Sequence, residues 1–243
     1  SLQSMDFHNN VHPELARIRE HDPFHRGKLS TMVDLWLVTL YEDVDRLLTS
    51  DDLRKNPFSG GLVSSLLQRA LPGTIKTLTT SLLMQDPPDH RRLRRLVQRA
   101  FTPRTAHQLE ERIIELTNEL IDNLPKNETF DLIEHFALPL PIRIIAEMVG
   151  VPEEDLDEFK RLAHAVTQPL SPTNMHKLLP PLREFSAYIQ ELAEQRRAEP
   201  REDLLSLLVQ AEEDGDKLTH DELVSMIFTI LVAGHETTVS LIA

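Results

Sequence analysis

The chain of 243 residues contains no cysteine, so it forms no internal disulfide and offers no thiolate to a metal. Basic residues are also scarce: 26 Lys and Arg stand against 39 Asp and Glu, a net charge of −13. That balance argues against general affinity for nucleic acid or for an anionic membrane. No secretory signal is visible, and no uninterrupted apolar run reaches the length of a membrane span. Nor is there an internal repeat or a low-complexity tract. These absences leave the expectation of a soluble, cytoplasmic globular protein with ample material for a core. Ser1-Leu2-Gln3-Ser4 reads as a cloning remnant before a natural start at Met5. Asn127-Glu128-Thr129 fits a glycosylation acceptor, but with no secretory signal before it the triplet is taken as fortuitous.

What is present is concentrated at the end, in Leu218 to Ala243. Thr219 followed by Glu222 is a capping box, with Leu218 and Leu223 placed as a hydrophobic staple. Leu223 to Ala233 is apolar on nearly every helical face, the pattern of a helix in the middle of a protein. Gly234, His235, Glu236, Thr237 and Thr238 then interrupt it. A carboxylate there needs pairing, water or a use. Thr237 stands one turn after Ala233, where its hydroxyl can return to a backbone carbonyl and bend the helix. Gly234 lets a ligand approach the backbone. A groove with an acid and a hydroxyl is one reading, and a kinked core helix with solvated polar residues is the other. The helix stops at Leu241-Ile242-Ala243 with no stop signal, so the chain is expected to be a piece of something longer.

The remainder reads as mostly helix. A short amphipathic helix spans His12 to Glu20, a strand or hairpin lies in Met32 to Thr39, and helix returns at Glu42 to Leu48. Loops are expected at Asn56 to Gly61 and Leu71 to Gly73, with a short helix between. Further helices are predicted at Thr105 to Leu124, Leu132 to Gly150 (broken at Pro139 and Pro141), and Glu153 to Thr167. Pro169 to Pro181 reads as a connection before a helix striped by Leu182, Phe185, Ile189 and Leu192. Asp203 to Glu212 is helical, and Asp214-Gly215-Asp216 turns the chain into the final helix.

One helix is basic in this acidic protein. It opens at Asp86-Pro87-Pro88-Asp89 and carries His90, Arg91, Arg92, Arg94, Arg95 and Arg99 beside a stripe of Leu93, Leu96, Val97 and Ala100. His90 and Arg94 share a face next to that stripe, so partial burial is expected for both, with Arg91 and Arg95 outward. Three readings compete: a solvated helix paired with nearby acids, a DNA-binding regulator, or a site for an anionic cofactor or acidic protein. The net charge of −13 disfavours DNA.

Four stretches in order resemble a bacterial-type cytochrome P-450, a haem-thiolate monooxygenase. Asp86 to Arg94 is similar to the family's helix whose His and Arg bind the haem propionates. Ala233-Gly234-His235-Glu236-Thr237-Thr238 is similar to its oxygen-binding motif. Trp36 to Val44 resembles its early strand and helix, and Phe136 to Pro152 a stretch typical of soluble members. The resemblance implies a mainly α fold with a small β-hairpin near the N-terminus, residues 5–243 forming the N-terminal part of one domain truncated in the long central helix. It implies haem b as cofactor, held through its carboxylates by His90 and Arg94. Glu236 and Thr237 would relay protons to dioxygen, Ala233 and Gly234 would line the oxygen groove, and Thr238 could assist. A small hydrophobic substrate and an acidic ferredoxin or flavodoxin, docking on Arg91, Arg95 and Arg99, are the implied partners. The pocket-lining loops are placed at Asn56 to Thr80 and Thr167 to Pro181.

The family's Glu-x-x-Arg pair and its iron-ligating cysteine lie downstream of the oxygen helix. Glu14 to Arg17 and Glu194 to Arg197 match the former only by spacing, in the wrong region. Lacking any cysteine, the chain is expected to be inactive alone, and the apolar face of its last helix is expected to drive a dimer or a rearranged packing of that helix. Two rivals are a zinc peptidase, since His235-Glu236 begins an HExxH motif whose fifth position is Val239, and a non-enzymatic module using the basic helix 89–99.

Overall fold

The computed structural model describes residues 7, 9–28, 34–50, 52–56, 66, 69, 71, 73–98, 101, 103–167, 175–213 and 216–243. Two compact units divide the chain, Ser1–Arg54 and Lys55–Ala243. The first contains α1 (Val11–His21), an antiparallel pair of β1 (Phe24–Lys28) and β2 (Asp34–Val38), and α2 (Tyr41–Thr49). Its register sets Phe24 opposite Val38 and Arg26 opposite Trp36. The hairpin is as expected, but its first arm lies upstream of Met32. His25, Arg26 and Lys28 make that strand polar, which hides it from a search for β-branched runs. Arg19 reaches over to donate to the Thr39 carbonyl at 3.0 Å, tying α1 to the end of β2.

The second unit is helical. It runs through α3 (Gly73–Thr79), a 3₁₀ turn at Leu82–Met84, α4 (Asp89–Gln98), α5 (Pro103–Asp122), a π-helical turn at Ile133–Ala137, α6 (Pro139–Val149), a 3₁₀ turn at Glu153–Asp155 and α7 (Leu156–Val166). There follow α8 (Met175–Ala198), α9 (Leu204–Gln210), a short antiparallel pair β3 (Glu212–Glu213) and β4 (Asp216–Lys217), and α10 (His220–Ile242). The stripe of Leu182, Phe185, Ile189 and Leu192 is fully buried against Phe159 and Leu162 of α7 and Leu223 to Ile227 of α10. Phe185 lies between the rings of Phe159 and Phe228, both centroids 6.4 Å away, so three helices meet on one aromatic side chain.

Three boundaries differ from expectation. Pro141 does not break α6, because a first-turn proline gives up an N–H that has no helical partner; the irregularity precedes Pro139 instead. Pro180 and Pro181 lie inside α8 rather than in a connection. Each removes one donor near the start of that helix and leaves intact the later turns that carry the buried stripe. Glu212 belongs to β3, α9 having ended at Gln210. Positions 57–61, 99, 100, 168–174, 214 and 215 lie outside the described residues, which removes most of two expected loops, Arg99, Ala100 and part of a turn from view.

A buried ion pair holds the far side of the core. Arg196 is 2% exposed; its Nε donates to Asp203 at 2.5 Å and its guanidinium to the Gly150 carbonyl at 2.5 Å. Asp203 also caps α9 by accepting the Ser206 N–H at 2.7 Å. Gly150 ends α6 at φ +90°, the left-handed region, and a side chain there would run into the Asp203 carboxylate.

The last helix is long and apolar enough to cross a membrane by length and composition, contrary to the reading of its apolar run alone. Its first half is instead built into the protein core: Leu223, Val224, Ser225, Met226, Ile227 and Leu231 are buried.

Candidate functional site

The residues expected to form the site lie in two neighbourhoods. The first is the start of α4. The Asp86 carboxylate accepts the backbone N–H of Lys55 at 2.8 Å and of Asn56 at 3.2 Å, while the Asp86 carbonyl accepts the N–H of His90 at 3.1 Å. One aspartate thus fastens an earlier segment onto the first turn of the helix. Leu93, Leu96 and Val97 are buried as their spacing predicts. His90 is half-buried, whereas Arg94 is exposed, because it lies further round the helix from that stripe. Arg91 and Arg95 face outward as expected.

Lys55 is a third cation here, which the sequence did not disclose. Burial first, then the charges of Lys55 and Arg94, pull the His90 pKa below its ordinary 6.5, and Asp86 only partly opposes them. Two cations bear on the His90 imidazole against one opposing carboxylate, Asp86, which makes a place suited to added negative charge. The carboxylate arms of a haem fit this requirement.

The second neighbourhood is the middle of α10, which runs as unbroken α-helix through the motif. Its capping box is complete: Thr219 Oγ1 accepts the Glu222 N–H and Glu222 accepts the Thr219 N–H at 2.8 Å. Thr237 Oγ1 donates to the Ala233 carbonyl at 2.5 Å, the bond expected of a mid-helix threonine. Ala233, Glu236 and Thr237 are exposed together, so a small side chain, an acid and a hydroxyl share an accessible stretch. Thr238 is half-buried.

Gly234 turns elsewhere. A Cβ on it would stand 3.2 Å from Ile145 Cδ1 of α6, so the missing side chain lets two helices approach. His235 is buried beside it, with a hydrogen bond to the Leu138 backbone and its Nε2 unpartnered. Burial, then the charge of His164 on α7, push its pKa down; Glu236 and the Leu138 bond oppose this. Among the described residues no group of three or more His, Cys, Asp or Glu side chains is placed to hold a metal.

Arg92, between His90 and Arg94, has a separate set of partners. Its guanidinium pairs with Glu222 of α10 and approaches Asp216 of β4 at 3.4 Å. Nothing in the local spacing signals this, since the partners lie 124 and 130 positions away.

Comparison with known proteins agrees with these features. The family model described as Cytochrome P450 matches residues 63–243. Cytochrome P450 107B1 of Saccharopolyspora erythraea is 38% identical over 97% of this chain and 58% of its own length. The polyketide biosynthesis cytochrome P450 PksS of Bacillus subtilis is 37% identical over 98% of this chain and 59% of its own. The solved structure of that PksS superposes with a TM-score of 0.86, covering 98% of this chain and 58% of that one at 37% identity. A structure of P450BioI with ligated acyl carrier protein gives a TM-score of 0.83 at 31% identity, covering 98% of this chain and 60% of that one. The chain therefore spans a little under two thirds of its relatives' length. On motifs, fold and this likeness together, the chain belongs to the cytochrome P450 family.

Proposed function

We propose that this chain supplies the carboxylate clamp and the oxygen-side wall of a haem monooxygenase acting on a hydrophobic organic substrate. The observation that carries the reading is the start of α4, where Asp86 fastens Lys55 and Asn56 beside the half-buried His90 and one turn before Arg94, in a fold whose last helix exposes Ala233, Glu236 and Thr237 together. A bound haem supplies activation of dioxygen and insertion of one oxygen atom. The protein's part is positional and protolytic. His90, Arg94 and Lys55 hold the two carboxylates by charge and hydrogen bonding. Glu236 would take up a proton from solvent, and the Thr237 hydroxyl would release the Ala233 carbonyl to hand its own proton inward, receiving the one from Glu236 in its place. Ala233 keeps the wall low at that level. Gly234 serves by close packing on Ile145, which fixes the height of the motif above α6.

The relatives' names indicate the breadth of substrates: one is a vitamin D(3) 25-hydroxylase and another a polyketide biosynthesis enzyme. A bulky apolar molecule is the class proposed here. The outward Arg91 and Arg95 are proposed to receive an acidic electron donor of ferredoxin or flavodoxin type; Arg99 belongs with them in sequence. The 243 residues hold no cysteine, so an axial thiolate has to come from outside them. Near the end of α10 Leu241 is 86% exposed, and self-association through this end of the helix is proposed.

A reduced, carbon-monoxide difference spectrum is the direct test. This chain with added haem should lack the thiolate-type band, and a longer gene product carrying the cysteine should show it. A longer product with no such band, together with steeply salt-dependent DNA binding, would replace this reading by that of a basic binding module.

A further inference from the structure

Arg92 differs from the other arginines of α4. Arg91, Arg94 and Arg95 are exposed, whereas the Arg92 side chain is 24% exposed and that of its partner Glu222 is 11%. The Glu222 carboxylate is divided between two tasks. Oε2 accepts the Thr219 N–H at 2.8 Å, completing the cap of α10, and Oε1 accepts from Arg92. Asp216, from the short hairpin that leads into α10, takes the other fork of the guanidinium at 3.4 Å. Burial works against this charge, but Glu222, Asp216 and Asp89 more than offset it and hold the guanidinium firmly ionised. Lysine would be a poor substitute, since one ammonium does not present the two-pronged geometry that meets both acids.

We infer that Arg92 is a positioning residue: pinned between Glu222 and Asp216, it fixes where α4 stands along α10, and so sets the carboxylate-binding cations at a defined height relative to the Ala233–Thr237 stretch. The inference rests on the haem reading above. From Glu222 to Ala233 and Thr237 is eleven and fifteen residues, about 16 and 22 Å of helix axis. A porphyrin clamped by its arms at one place and facing the motif at another tolerates little sliding between those two helices. His90 and Arg94 flank Arg92 by two positions each, so a pin at Arg92 governs both.

The test uses this chain with two probes, ferric haem and its dimethyl ester, which lacks the carboxylate charges. The wild-type chain should bind haem in preference to the ester, and H90A/R94A should abolish that preference. R92Q and E222Q should each reduce the preference by about tenfold, as loss of outer positioning contacts does elsewhere. The double variant should lose no more than either alone, because both remove one contact. E222Q keeps the helix cap, since glutamine occupies the same place in a capping box, so its effect separates the pin from the cap. Losses that multiply in the double variant, or an R92Q chain with undiminished preference, overturn the inference while leaving the haem reading intact. A wild-type chain that does not distinguish acid from ester overturns that reading, and the inference with it.

Discussion

Lys55 is brought to the site by its backbone, through the Asp86 carboxylate, and acts there through its charge. Replacing it by glutamine removes a cation from beside His90 and should raise the imidazole pKa toward 6.5, which a histidine proton NMR titration would show. An unchanged or lower value would mean that the ammonium lies away from the ring. Arg196 and Asp203 form the other decisive contact at this scale. Asp203→Ala would strand a buried guanidinium and uncap α9, and should cost about 3–5 kcal/mol in urea unfolding. Gly150→Ala should act through the same pair, because the added methyl would displace the Asp203 carboxylate from a backbone already at φ +90°.

Among elements, α4, α6 and α10 carry the candidate site, and Gly234 packs against Ile145 where α10 meets α6. A methyl at position 234 meets Ile145 Cδ1, the movable end of a side chain, at 3.2 Å. The helix gains about 1 kcal/mol from Gly to Ala, so Gly234→Ala should be close to neutral. Gly234→Leu should lose about 1–3 kcal/mol by overpacking, and Ile145→Ala in the same chain should recover part of it, read as paired unfolding midpoints. Thr219→Ala should cost about 1 kcal/mol at the head of α10.

The legible elements share one property, which is that their signal is local. The Thr219–Glu222 cap, the α8 stripe and the Thr237 back-bond are each written within one or two turns of sequence. The polar strand Phe24–Lys28 and the helical setting of Pro180 and Pro181 are not legible locally, because partner strands and downstream turns, not local composition, decide them. The roles of Lys55 and Arg92 depend on residues that only folding brings near. His90, Arg94, Glu236 and Thr237 are nominated by motif alone; that Gly234 faces a neighbouring helix could not be read from spacing.

For the molecule as a whole, His90 and His235 both have pKa values depressed below 6.5, so each gives up its proton sooner in the native state than in the unfolded chain. Their contribution is complete above pH about 6.5, where both states are neutral, and declines as pH falls because the unfolded state then binds more protons. Urea midpoints should therefore fall between about pH 7.5 and about pH 5.5, and His235→Asn should flatten the slope. Sedimentation should show concentration-dependent association of the chain, reduced by Leu241→Glu; a monomer at all concentrations would count against this end of α10 as its cause.

The long helix is stitched to its neighbours by two kinds of thread. Thr77 donates to Asp221 at 3.0 Å and Ser81 shares a hydrogen with Thr229 at 3.0 Å, so the polar fastenings of the Gly73–Met84 stretch are made by hydroxyls, beside the apolar packing of Ile75, Leu78 and Leu82. Arg92 fastens α4 to the same helix by full charges. Added salt screens partly exposed charges and hardly touches a hydroxyl bond. Raising ionic strength should therefore unfasten one neighbour before the other, and hydrogen exchange across such a series would rank the two attachments without a single substitution.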